Sequence, residues 1–260
     1  MIGELCDVLC STFFAYRISV MEMKWNRNQI RVNIAVLVLL CCGSLIFFPW
    51  YTKSDSCFQP QRFSGRVLIL DAGHGGEDGG AVSVTGTLES EINLSIVLKM
   101  QQICGLFGVD PVLIRDEDVC LKDANADTLA QKKRTDLRNR VKLIERNKNS
   151  FLISIHQNYF SGASNCGAQV FYAPTQGSED WGIYCQQLLV ENLNPDNHRL
   201  SKQISEDIYL MNHISCPAIL VECGFISNRE EAKRLEADGY QTELAITILT
   251  SYLTMDFSSI

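Results

Sequence analysis

From residue 66 onward the chain alternates short, wholly apolar runs with longer segments of helical spacing, and this alternation limits its fold more than any other feature. RVLIL (66–70), VLI (112–114), FLISI (151–155), AQVFY (168–172), IYLM (208–211) and PAILVE (217–222) read as strands. Segments 88–107, 134–147, 178–193, 229–237 and 240–253 read as helices. Strands without a polar side must be covered on both faces. The pattern therefore predicts one α/β domain over 66–260, a mostly parallel twisted sheet covered by helices. No internal repeat, low-complexity tract or second module is visible.

What precedes that domain is different in kind. Residues 32–50, VNIAVLVLLCCGSLIFFPW, carry no charge, close to the roughly 20 apolar residues a helix needs to cross a bilayer. Lys24, Arg27 and Arg31 lie ahead of it, so the positive-inside rule puts residues 1–31 in the cytoplasm and the domain outside. A cleavable signal peptide is the rival reading, but apolar residues resume after Gly43 and Ser44 and no small-x-small site follows. The expectation is an uncleaved transmembrane anchor at 32–50 and a polar linker at 51–65. A start at Met21 or Met23 would give a tidier basic lead.

Charge sharpens the division. Residues 1–60 hold five basic and four acidic side chains, a net of +1, which leaves −8 of the overall −7 for the remainder. An acidic domain without a basic stripe excludes nucleic acid as a partner. The 11 cysteines include no Cys-x-x-Cys pair, so zinc-ribbon and thioredoxin readings fail and most cysteines are expected to be small buried residues.

In doubly wound sheets the working residues gather beyond the carboxyl ends of strands. The first strand runs into DAGHGGEDGG, which carries Asp71 and His74. The strand at 151–155 ends in His156, followed by Gln157 and Asn158, and the strand at 217–221 ends in Glu222. Two histidines and a carboxylate form a zinc site that keeps a position open for water, with a further glutamate as base. Spacing alone leaves Glu77, Asp78, Glu89 and Glu91 all open as the third ligand. A phosphate-cradling loop is the competing reading of the glycines, but they match neither G-x-G-x-x-G nor a Walker loop.

Six collinear blocks then resemble one family. LDAGHGGEDGGAV (70–82), GTLESEINL (86–94), LIRDEDVCL (113–121), LRNRVKLIERN (137–147), FLISIHQN (151–158) and PAILVECGFISN (217–228) look like the zinc-dependent N-acetylmuramoyl-L-alanine amidases of the DAGHGG type. The resemblance implies one catalytic zinc ion on His74, Glu89 and His156, with Glu222 as the catalytic glutamate. It implies peptidoglycan as substrate and hydrolysis of the amide between the lactyl group of N-acetylmuramic acid and L-alanine of the stem peptide. The bare domain behind one anchor is most similar to the germination-specific, CwlD-type subgroup of spore formers. That points to cortex maturation, muramic δ-lactam formation and a site in the forespore intermembrane space.

Asp71 and Asn158 are the candidates for orienting the histidines. Arg115 and Arg140 are read first as members of structural ion pairs, with binding of a substrate carboxylate as the alternative for both. His213 is expected to end a strand near the site, as a satisfied structural histidine first and a substrate contact as the alternative, while Cys223, next to Glu222, is either a space-filler or a redox-sensitive or metal-competing thiol. A zinc peptidase cutting within the stem peptide and an inactive wall-binding relative are the alternatives. The need for an activating protein partner stays open.

Overall fold

The computed structural model describes residues 65–160 and 165–257. The predicted anchor and all but the last residue of the predicted linker lie outside them, and no helix among the described residues is long and apolar enough to cross a membrane.

Six strands form one sheet in the order β2-β1-β3-β6-β4-β5: β1 (Val67–Ala72), β2 (Val112–Leu113), β3 (Ser150–Asn158), β4 (Gln169–Tyr172), β5 (Lys202–Gln203) and β6 (Ala218–Phe225). β2, β1, β3 and β6 run parallel, β4 is antiparallel to β6, and β5 follows β4. The sheet is thus mostly parallel, as the apolar runs require.

The helices are α1 (Glu89–Leu106), α2 (Leu129–Glu145), α3 (Ser178–Leu193), α4 (Tyr209–Asn212), α5 (Arg229–Glu236) and α6 (Asp238–Thr254). Alternation along the strands sorts the core into two layers. Leu68, Leu70, Ile153, Ile155, Ile219 and Val221 pack with Ile96 of α1, Trp181 of α3 and Ile248 of α6. Ile69, Leu152 and Leu220 form the second layer with Ile144 of α2 and Leu210 and Met211 of α4.

Two elements differ from expectation. IYLM was predicted as a strand, but Tyr209–Asn212 is a single helical turn that buries Leu210 and Met211; four apolar residues in a row suit either state. Helix α2 starts five residues before the predicted 134, because Thr128 and Gln131 form a capping box, each side chain satisfying the other's backbone N–H. The polar edge strand β5 carries no apolar signal at all.

The chain leaves β1 for β2 on one side, then returns past β1 to lay β3 on the other. The β1/β3 crevice is therefore the topological switch point, where such sheets hold their ligands.

Candidate active site

At that switch point three side chains converge. His74 follows β1, His156 lies near the end of β3, and Glu89 is the first residue of α1. Their ligating atoms all lie within 4.8 Å of one another. Glu89 Oε1 is 3.3 Å from His74 Nε2 and 3.1 Å from His156 Nδ1, and the two rings stand edge to face. This third member is the one that spacing left undecided. Glu89 gains from its place at a helix N-terminus, and it is tied down besides: Ala81 N donates to Oε2 at 3.0 Å, and Gln157 N to Oε1 at 3.1 Å.

The backbone is shaped to permit the convergence. A Cβ on Gly73 would stand 2.2 Å from His156 Cε1, so only glycine lets the first loop pass over the imidazole. Gly80 has φ +69°, and a Cβ there would meet Glu89 Oε2 at 2.6 Å. His74 itself has φ 63°, a left-handed conformation uncommon for a non-glycine residue. Two buried guanidinium groups hold it. Arg140 Nη2 donates to His74 O at 2.7 Å and Arg115 Nη2 to Gly73 O at 3.1 Å, while Nη1 of Arg140 and Nε of Arg115 both reach Ala72 O.

These contacts decide several sequence expectations. Arg115 spends its donors on backbone carbonyls, the remaining ones on Ser90 O and Glu117 O, so it is a backbone staple. Arg140 forms ion pairs with Asp71 and Asp136. Asp71 does not orient a histidine. It accepts from Arg140 and from Ser154 Oγ at 2.6 Å, and although burial opposes ionisation, the Arg140 charge holds its carboxyl below the usual range. Asn158 is not among the residues that line the cleft; its carbonyl accepts Ile226 N at 2.9 Å. His213 is exposed after α4, its Nδ1 on Tyr209 O and its ring stacked on Tyr209 at 3.9 Å, so it ends no strand. Cys223 points into the core layer beneath the sheet, away from Glu222, and burial pushes its thiol up. All six described cysteines are free.

The residue that does orient an imidazole is Asp78, with Oδ2 3.0 Å from His74 Nδ1. An ionised carboxylate only accepts, so the proton sits on Nδ1 and Nε2 is left facing Glu89. Burial opposes a charge on His74, yet the bonds to Asp78 and Glu89 raise it to about 9 without a metal. Asn93, one turn along α1 from Glu89, links Glu89, Gly73 O and Gln157. Its i, i+4 spacing from Glu89 was the available signal.

Glu222 completes the arrangement. It pairs in register with His156 across the β3/β6 ladder, and a bulge follows immediately. Its Oε2 is buried without a hydrogen-bond partner. Burial pushes its carboxyl up to about 7, with His156 pulling down and Glu89 pushing up. The site lies in a cleft of about 350 Å³ that is also lined by Lys133 and Leu137 of α2 and by residues 207–210.

A doubly wound α/β domain with two imidazoles and a carboxylate at its switch point, beside an unpartnered glutamate, has the layout of a hydrolase that activates water. The chain belongs to the N-acetylmuramoyl-L-alanine amidase family, whose sequence pattern matches residues 68–252. It is accordingly an enzyme that hydrolyses an amide bond of peptidoglycan. The germination-specific N-acetylmuramoyl-L-alanine amidase of Bacillus subtilis is 33% identical over 212 residues, 80% of this chain and 88% of that protein. The CwlD amidase of Clostridioides difficile, solved in complex with the GerS lipoprotein, superposes with a TM-score of 0.69 at 37% identity, over 73% of this chain and 99% of that one. AmiC2 of Nostoc punctiforme gives 0.62 at 27% identity, over 73% and 96%.

Proposed function

We propose that the amidase works with one zinc ion held by His74 Nε2, Glu89 Oε1 and His156 Nδ1, and with Glu222 as its general base. The donor set suits that ion: two imidazoles and a carboxylate, mutually within 4.8 Å, with Asp78 behind one imidazole. A zinc ion there supplies Lewis-acid polarisation of the scissile carbonyl and acidifies water. Glu222 takes a proton from that water and delivers it to the leaving nitrogen of L-alanine, a role suited to a carboxyl raised to about 7. Asp78 holds the His74 imidazole, the backbone N–H groups of Ala81 and Gln157 hold Glu89, and Arg115 and Arg140 hold the loop that carries His74. The observation that carries the reading is the unpartnered Glu222 Oε2 beside the three-donor cluster.

The setting follows from the relatives. Identity to a germination-specific amidase and likeness to CwlD support a role in the spore cortex. Peptidoglycan lies outside the cytoplasm, and the uncharged run 32–50 suits a membrane anchor that presents the domain (66–260) there. A lipoprotein partner of the kind captured with the Clostridioides protein suits the activating role left open by the sequence.

The test is incubation with purified peptidoglycan, with zinc and after chelation, and mass spectrometry of what is released. Free stem peptides that begin with L-alanine, appearing only with zinc, are the expected result. Fragments cut within the stem would replace this reading with a peptidase. No release together with no bound zinc would overturn the metal site.

A further inference from the structure

We infer that Lys133 is a specificity residue of this amidase: its ammonium reads a carboxylate on the stem peptide, one residue beyond the L-alanine whose amide is cut. The inference rests on the amidase reading and adds to it the side of the cleft on which the peptide lies.

Two strong bases line the cleft, and they differ in what remains of their hydrogen-bonding capacity. Arg140 is buried and fully engaged with Asp71, Asp136, Ala72 O and His74 O. Lys133 has a side chain 57% exposed and makes one ion pair, with Asp78 Oδ2 at 3.4 Å. An ammonium has three donors, so Lys133 keeps donors for a ligand that enters the cleft. Its neighbour Lys132 serves as a contrast. Lys132 and Lys122 both close on Glu77, outside the cleft lining.

Position supports the same assignment. Asp78 Oδ2 touches both Lys133 Nζ and His74 Nδ1, so the ammonium stands two hydrogen-bond lengths from an imidazole of the catalytic cluster. Neighbouring residues of a peptide are about 3.8 Å apart. A carboxylate on the second residue of the stem lies at a comparable remove from the bond being broken. Peptidoglycan stems carry an acidic residue, D-glutamate, at that place. The lining contributed by residues 207–210 on α4 and just before it is apolar at Ile208, Tyr209 and Leu210 and acidic at the exposed Asp207, which adds no cation there. The cleft thus offers an anionic peptide one cationic anchor, and it is on α2.

Two synthetic muramoyl peptides test this, one with a free α-carboxylate on the second residue and one with that group amidated. The readout is the ratio of kcat/KM values on the two, which cancels any general effect of a substitution at a residue that also touches Asp78. Wild-type protein should prefer the free carboxylate by about three- to tenfold, mostly through KM, as expected for a partly exposed charge pair. The preference should shrink with added salt. Lys133→Met should bring the ratio close to unity, and Lys133→Arg should retain it. Equal kcat/KM on both peptides in wild type, or an unchanged ratio in Lys133→Met, overturns the assignment while leaving the amidase intact. Failure of wild type to cut either peptide overturns the amidase reading and this assignment with it.

Discussion

Glu222→Gln separates the chemistry of this carboxyl from its shape. Glutamine fills the same space but cannot ionise. In the metal-free protein, burial together with Glu89 and against His156 moves Glu222 from its ordinary 4.5 to about 7. At about 1.36 kcal/mol per pH unit this is a cost of roughly 3 kcal/mol for holding the ionised form in the fold. The sign follows from proton binding. With the folded-state value raised, the folded protein holds the proton more tightly than the unfolded chain between pH 4.5 and about 7, so stability falls as pH rises through that window. Urea unfolding in the presence of EDTA, at about pH 5 and about pH 8, measures it. Wild type should lose about 2–3 kcal/mol more than Glu222→Gln between the two conditions. In the zinc-loaded proteins, turnover of a muramoyl peptide should fall by about 10²–10⁴ in the variant, with zinc content unchanged. Parallel pH profiles would refute the raised carboxyl, and undiminished turnover would refute Glu222 as base.

Three further substitutions follow from contacts already described. Asp78→Ala frees His74 Nδ1, and zinc affinity measured against a chromophoric chelator should fall by about 10–100-fold. Gly73→Ala places a methyl 2.2 Å from His156 Cε1. The imidazole must move, with an expected loss of about 100-fold in kcat/KM and about 1–3 kcal/mol in urea unfolding. Arg140→Met leaves Asp71 buried without its cation, which should cost about 3–5 kcal/mol. Adding Asp71→Asn to that variant should restore part of the loss, as a double-mutant cycle would record.

Much of this site is legible in the sequence because its members stand at the ends of apolar runs, although β3 and β6 continue past His156 and Glu222 to Asn158 and Phe225. His74, His156 and Glu222 each follow a run whose apolar character announces a covered strand, and strand ends in such folds face the ligand. Glu89 was legible only through resemblance, since a helix N-terminus beside a glycine-rich loop offers several carboxylates at similar spacing. What escaped is what depends on long-range partners. Asp71 was a candidate for orienting a histidine, yet its partner is Arg140, 69 positions away. Asp78 was visible as a candidate ligand, but its place behind His74 depends on the left-handed turn at that histidine. IYLM failed for the opposite reason. Its local signal was strong but fitted a helical turn as well as a strand, and packing of Leu210 and Met211 decided the outcome.

The pairing of His156 with Glu222 has a consequence for how such an enzyme can change over time. The two residues face each other across one ladder of parallel strands, and neighbouring strands lie about 4.8 Å apart whatever connects them. The spacing between His156, the proposed metal ligand, and Glu222, the proposed base, is therefore a property of the sheet. The chain between them, which includes β4, α3, β5 and α4, can lengthen, shorten or be replaced without resetting that distance. Diversification of substrate preference is then free to proceed in the loops and in α4, and on the exposed face of α2 away from Arg140. The His156–Glu222 distance keeps its value as long as β3 and β6 stay in register.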